Sequence, residues 1–478
     1  MKRYLYLLPF LLLCLTGCKE QRFTYSSSAR LAFSTDSVCF DTVFTAQGSS
    51  TQQIMVYNPN SNAVRISRVW WANGKCFFAN LDGENDINRL HDIEIFGKDS
   101  IFLFLRVEID PYNSSNVPLE VDTLFFETNG NKQGIAVQAY GMDVERIRQK
   151  EPFDQLTLTA EKPYLIFDTM RVENSLTVEA GATLYMHTGS HIIVHGDLTA
   201  QGTPEQPIRV MGDRTDRLFP KVPYRYASGQ WGGIYLERYD SLCGGREIRH
   251  QLENIHLLSG QVGIFCYSDN AEHRPRLTLH NARIHNMSAY GIVLENTDAA
   301  ISNAEISNCA SYGIYLSGGS HLMEHLSIAN FFGYPYTTLN IHNSSRQDVA
   351  AVRLWGLDSD TLRNCIITGA VTPALVVDSL PETGYKGYVA GCYLNCDTLP
   401  AEWANTNTYK QDKDTVFMNT YYKYGEYIYY DFHLYQSSPA RSIGLPLDNL
   451  SLRDRLVTDL EGNTRDALHP DAGCYIHQ

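Results

Sequence analysis

The sequence predicts an all-β chain: a β-sandwich followed by a long parallel β-solenoid. Three observations carry that reading. Between residues 31 and 141, apolar and polar side chains alternate with period two in short runs, as half-buried strands require. Further on, Asn281 and Gly291 return as Asn303 and Gly313, a repeat of 22 residues. Within the first stretch no helical period competes with the alternation.

The chain opens on Met1-Lys2-Arg3, an almost wholly apolar run from Tyr4 to Leu15, and then Thr16-Gly17-Cys18. A basic start, a short apolar run and small residues before a cleavage point define a secretory signal. The apolar run is shorter than the roughly 20 residues a spanning helix needs. A cysteine directly after Thr16-Gly17 resembles the lipobox of bacterial lipoproteins. The resemblance implies a signal peptide over residues 1–17, a diacylglycerol thioether on Cys18 and acylation of the new amine. Residues 18–30 are polar and read as a tether. Acyl chains hold a bilayer at about 0.8 kcal/mol per buried CH₂. The expected partner is therefore a membrane reached through lipid, in the cell envelope and at the outer membrane, with the face left open.

Net charge is −14, with acids and bases intermixed and no basic stripe. That balance excludes a nucleic-acid footprint. Of 11 cysteines, nine follow Cys18, and no CxxC pair recurs to suggest zinc. Cys39 and Cys76 are the candidate bridge of the first domain, since export permits disulfides. The others fall mostly on strand-like segments, where a buried thiol packs as a small hydrophobe. No cofactor or metal is expected.

Residues 31–145 form the first domain. Its strand-like runs include Gln53-Ile54-Met55-Val56-Tyr57 and Ser100-Ile101-Phe102-Leu103-Phe104-Leu105-Arg106-Val107. Turn signals at Asn58-Pro59-Asn60, Asn73-Gly74 and Asn129-Gly130 help to divide it into about seven strands, a sandwich's complement. The run Phe40-Asp41-Thr42-Val43-Phe44, then Gly48 and Gln53 to Pro59, resembles immunoglobulin-like domains of the major-sperm-protein type. The resemblance implies a spacer or binding module. Trp70-Trp71 reads as buried core and interdomain packing, with a binding patch as the alternative.

Residues 150–400 form the solenoid. Asn281-Ala282-Arg283-Ile284-His285-Asn286 returns as Asn303-Ala304-Glu305-Ile306-Ser307-Asn308, and again around Leu326-Ser327-Ile328. One repeat makes one coil, and coils stack at the interstrand spacing of about 4.8 Å. Ile284, Ile306 and Ile328 then form one inward ladder, and Ile292 and Ile314 another. Asn at the corners tolerates the left-handed backbone that a sharp turn needs. The upstream pieces Gly181-Ala182-Thr183-Leu184, Gly196-Asp197-Leu198 and Gly202-Thr203-Pro204 with Pro207-Ile208 resemble the opening coils of right-handed parallel β-helix proteins of the pectate-lyase superfamily. The ending, with Asp459, Gly462, Arg465 and Pro470-Asp471-Ala472-Gly473-Cys474-Tyr475, is similar too. The resemblance implies that residues 401–478 supply the last coils and a cap.

That fold hosts lyases, hydrolases and non-catalytic surface proteins, so chemistry must be sought in the site. Asn296-Thr297-Asp298 matches the first element of polygalacturonase-type hydrolases, but their further Asp-Asp, Gly-His-Gly and Arg-x-Lys elements do not follow. It reads as a coil corner. Aligning the repeats stacks His256, Arg283, Glu305 and Ser327 in one outward column. His256, Arg283 and Glu305 are the catalytic candidates, as base, carboxylate clamp and orienter of a lyase. The basic and aromatic loop around Arg214, Lys221, Tyr224, Arg225 and Tyr226 suits a surface loop or an acidic-sugar grip. The Tyr-rich segment from Tyr421 to Tyr430, with Tyr435, supplies Tyr421, Tyr424 and Tyr427 as glycan-binding candidates, or as a flank covering outward Phe265 and Tyr315. The reading that follows is a non-catalytic cell-envelope lipoprotein whose β-helix binds polysaccharide or an envelope protein. The alternative is a lyase or other enzyme acting on acidic polysaccharide.

Overall fold

The computed structural model describes residues 22–477 apart from 87–88, 112–118, 220–221, 332–351, 356–358, 371–372, 379–385, 397–398, 400–403, 407–408, 411–414 and 421–429. Cys18, Tyr421, Tyr424 and Tyr427 lie outside the described residues. The chain divides into two compact units, Met1–Asp143 and Val144–Gln478. No helix among the described residues is long and apolar enough to cross a membrane.

The first unit has a four-stranded sheet and a five-stranded sheet whose inner faces share one apolar core. The four-stranded sheet runs Ala32–Phe33, Gln52–Tyr57, Ser100–Val107, Phe77–Leu81. The five-stranded one runs Ser37–Phe44, Asn131–Met142, Leu119–Thr128, Val64–Trp71, Ile93–Ile95. The alternation in the sequence becomes alternate burial: along Asn131–Met142, Ile135, Val137 and Ala139 point inward between exposed neighbours. Ser37–Phe44 pairs parallel to Asn131–Met142, while the other ladders of the two sheets are antiparallel. The anticipated Cys39–Cys76 bridge is absent, and both are free thiols. Cys76 faces the core, and burial pushes its thiol up to about 11. Cys39 is exposed and its thiol meets the Asp41 carboxylate, so the two side chains face different surroundings. Trp70 packs on Phe125 and Trp71 on Phe77, each half-buried.

The second unit is a parallel solenoid with three faces. Val262–Ser268, Tyr290–Glu295 and Ile314–Ser317 stack as the first face. The long strands Arg249–Leu258, Arg276–Met287, Asp298–Cys309 and Ser320–Asn330 each bend in the middle and supply the second and third faces. The bend is a single residue in left-handed conformation: Asn254, Asn281 and Asn303 have φ of 49°, 53° and 51°, and His325 takes the same role at 56°. Asparagine tolerates this region because its short side chain bonds locally. Here those side chains also bond from coil to coil. Asn281 donates to Asn254 at 3.2 Å and Asn303 to Asn281 at 2.6 Å.

Inside, Leu257, Ile284, Ile306 and Ile328 stand in register and are essentially fully buried. Ile264, Ile292 and Ile314 form the second ladder. Buried free Cys266, Cys309, Cys365 and Cys392 pack in the same core. The recurrent glycine has a steric cause, since a Cβ on Gly291 would run into the Gly313 carbonyl of the next coil. Equivalent corners are 22 residues apart at Asn281 and Asn303, but 27 apart at Asn254 and Asn281 and 39 at His325 and Asn364. The extra residues of the 27-residue step fall between Ser268 and Arg276, at a corner, and leave the stack in register.

Beyond Val416 part of the described chain covers the outside of the third face, while Ser451 and Leu452 bond Glu324 on the second. Outward Ala329, Ile366 and Tyr393 form a second core with Phe417, Phe432, Leu434, Ala472 and Tyr475. Arg465 clamps the segment by donating to Asn303 Oδ1 at 2.6 Å and to the carbonyls of Gly473 and Cys474. Phe265 and Tyr315 are not part of this core. Phe265 stacks with Tyr235 and Tyr267, and Tyr315 with Tyr290 and Tyr312, on the first face.

Candidate functional site

Parallel register decides which outward side chains meet. On the third face Arg209 pairs with His256, His256 with Arg283, Arg283 with Glu305, and Glu305 with Ser327. Side chains of one strand alternate between faces, so these residues share the outside while Leu257, Ile284 and Ile306 share the core. The structure brings His256, Arg283 and Glu305 onto the floor of one cavity of about 230 Å³. Its walls come from elsewhere: Tyr226 from the loop before the third-face coils, and Tyr430, Phe432, His433, Glu461 and Tyr475 from the C-terminal segment.

The polar groups of the cavity form one network. The Glu305 carboxylate, 8 % exposed, accepts from the Tyr475 hydroxyl at 2.5 Å and from the Ser307 hydroxyl at 2.6 Å. Since Ser307 gives its proton to Glu305, the His285 Nδ1 at 2.7 Å from Ser307 Oγ acts as donor. Arg283 donates to Glu461 Oε1 at 2.9 Å, and its Nε is buried with no partner among the described residues. His433 lies between Asp431, 2.7 Å from Nδ1, and Glu461, 3.1 Å from Nε2, with its ring 4.4 Å from that of Tyr475. Tyr430 and Phe432 stack nearly parallel, 12° apart, at 6.0 Å.

This environment sets the charge states. Burial lowers the His256 pKa to about 4, and Arg283 and Arg209 add to the effect, so the imidazole is neutral at pH 7. Burial likewise lowers His285. Burial works against the Arg283 cation, but Tyr475, Glu305 and Glu461 outweigh it and hold the cation firmly. Burial also opposes the His433 cation, yet the hydrogen bonds to Asp431 and Glu461 win and raise its pKa. The Tyr475 phenol is raised by burial and by Glu305 and stays protonated.

The arrangement suits binding. Both Glu305 oxygens are occupied by hydroxyl donors, so this carboxylate holds the wall in place and is not poised as a free base. Open donors and acceptors beside ring faces are what a sugar ring meets well. Among the described residues, no group of three His, Cys, Asp or Glu side chains is placed to hold a metal.

Other sequence candidates fall elsewhere. Asn296 occupies a corner with φ of 49°, Thr297 is buried, and Asp298 accepts from the Ser320 amide, which makes the triplet structural. The charges of the basic loop are partly used at home, since Arg214 pairs with Asp216 and packs on Tyr224. Of the Tyr-rich segment, Tyr430 and Tyr435 are described, and Tyr430 lines the cavity. Sequence reasoning missed His285, Asp431, His433 and Glu461 as site residues. Period-two alternation from Arg283 would have found His285, but no repeat spacing announces the other three.

A family model described as right handed beta helix region matches residues 262–398. No curated protein matches the chain. Among solved structures, a protein of unknown function from Porphyromonas gingivalis W83 is similar at 15% identity and a TM-score of 0.19, over 26% of this chain and 50% of that one. A family 123 glycoside hydrolase from Clostridium perfringens is similar at 6% identity and a TM-score of 0.17, over 23% of this chain and 25% of that one. The chain thus spans half the length of the first and a quarter of the second, and neither likeness carries an argument about function.

Proposed function

We propose that this chain is a cell-envelope lipoprotein, anchored through Cys18 at the outer membrane, whose β-helix binds glycan without catalysis. The observation that carries the reading is the cavity on the third face. There Arg283, Glu461 and Asp431 offer donors and acceptors beside the Tyr430 and Phe432 rings, while the most buried carboxylate, Glu305, is fully engaged by Tyr475 and Ser307. The cavity of about 230 Å³ is far larger than the roughly 10–15 Å³ that a single water needs. The first unit is read as an immunoglobulin-like spacer. Anchorage is tested by Cys18→Ala, which is expected to leave unprocessed precursor and to abolish recovery with membranes. Normal processing and membrane recovery of that variant would refute the lipid tether.

The glycan reading is tested by probing the full chain on a glycan array and following the hits over time. Binding with neither new reducing ends nor unsaturated product is expected. A second reading, a polysaccharide lyase, draws on neutral His256 beside Arg283, a base next to a cation that neutralises a uronate. Ultraviolet absorbance of unsaturated product from uronic-acid polymers would establish it in place of the first.

A further inference from the structure

The charge balance of the cavity selects among sugars. Three carboxylates, those of Glu305, Asp431 and Glu461, face one permanent cation, Arg283. His433 adds at most one more positive charge, and His256 and His285 are held neutral. Even with His433 protonated the lining itself carries a net negative charge, with Arg209 one coil away outside it beside His256, and Arg283 is already paired with Glu461. A uronate brought here would add a fourth carboxylate and compete for a cation in use. In a partly desolvated site such like-charge proximity is costly.

The same groups suit hydroxyls. The Arg283 guanidinium carries five N–H donors and is partly exposed at the cavity, and among the described residues it gives one bond, to Glu461. Asp431 Oδ1 is engaged by His433, while among the described residues no hydrogen bond reaches Oδ2, and the side chain is 35% exposed. A hydroxyl both gives and takes a proton, so two adjacent hydroxyls would satisfy an acceptor on one side and a donor on the other. The apolar face of the ring would lie against Tyr430, the half-buried ring of the cavity wall that Phe432 backs from the core.

Resting on the glycan reading above, we infer that this cavity takes a neutral sugar through a vicinal pair of hydroxyls, between the Asp431/Glu461 carboxylates and Arg283, and rejects uronic acids. The acidic-polysaccharide substrate of the lyase reading is thereby disfavoured on charge.

The test is a titration of the full chain in detergent, at pH 7.5 and fixed salt, with array hits and with paired oligosaccharides. The pairs are cellohexaose, xylohexaose and mannohexaose against hexameric galacturonate and glucuronate. Neutral ligands are expected to bind at least about tenfold more tightly than uronates. Glu461→Gln and Asp431→Asn are each expected to weaken the neutral ligand by about tenfold, as the loss of a charged acceptor implies, and to narrow the gap to the uronates. Melting curves of the two variants keep a folding defect from passing as a binding effect. Uronates binding as tightly as neutral sugars, or variants that leave the preference unchanged, would overturn this inference while the glycan reading stands. No binding to any glycan, on the array or in solution, would overturn both.

Discussion

The outward side of the third face is two surfaces laid on one floor. On the later coils Ala329, Ile366 and Tyr393 lie beneath the C-terminal segment and are at most 1 % exposed. On the earlier coils His256, Arg283 and His285 keep partial exposure and open into the cavity. The inward ladder is the same under both, with Ile284, Ile306 and Ile328 in register. What differs is the chemistry of alternate residues: aliphatic and aromatic where the segment lies, ionisable where it stops. Tyr475, His433 and Glu461 mark the border, and the cavity forms there. The repeat therefore builds a scaffold, and departures from it build the site.

The comparison breaks most completely if the shared floor fails. Ile306→Asp places an unpaired carboxylate between two buried isoleucines, at a cost of several kcal/mol. Loss of soluble protein or a collapsed thermal transition is expected, and an unchanged melting temperature would mean that the register is different. Next comes the cover. Phe432→Ala empties a position 3 % exposed that stacks on Tyr430 and Phe331, with an expected loss of about 3–5 kcal/mol read by denaturant unfolding. If the segment were dispensable, the loss would be near zero.

At the border, Tyr475→Phe keeps the ring but removes the hydroxyl that Glu305 accepts from. A loss of about 1.5–3 kcal/mol is expected, the range for hydrogen bonds to charged groups. The smallest effect is a pH dependence that separates the border from the coils. Asp431 and Glu461 raise the pKa of His433 over the opposition of burial, so the stability it contributes is full below its ordinary value of 6.5. That contribution is lost as pH rises through the higher folded value. The coil histidines work the other way. Burial lowers His250 to about 3 and His280 to about 4, so their contribution is present above 6.5 and lost as pH falls toward those values. His433→Asn is therefore expected to lower the melting temperature at pH 5.5 and to have little effect at pH 9. His280→Gln is expected to flatten the acid limb between pH 6.5 and 4. Curves of the two variants that move in the same direction with pH would contradict this assignment.

Much of the floor was legible in the sequence, because a solenoid places equivalent residues of successive repeats on top of one another. Asn281 with Asn303, Ile284 with Ile306 and Arg283 with Glu305 are neighbours in space for that reason alone. The column of His256, Arg283 and Glu305 follows from the same rule, even though an insertion stretches the first step to 27 residues. The cover obeys no such rule. Tyr475 meets Glu305 across 170 residues and Glu461 meets Arg283 across 178, through packing that no periodicity encodes. The cysteines mislead for a related reason: Cys39 and Cys76 share a domain, but only their side-chain directions decide whether they meet, and one faces solvent while the other faces the core.

The most direct test of the account is the glycan-array signal of the full chain beside that of Arg283→Met, with a melting curve for each. Arg283 sits on the open half of the face and its pair with Glu461 is partly exposed, so its loss is expected to cost about 1–2 kcal/mol of stability. The account predicts that the array signal disappears in the variant while the melting temperature falls by no more than about 2–4 °C. An array signal that survives the substitution unchanged would place the binding surface elsewhere and contradict the central claim.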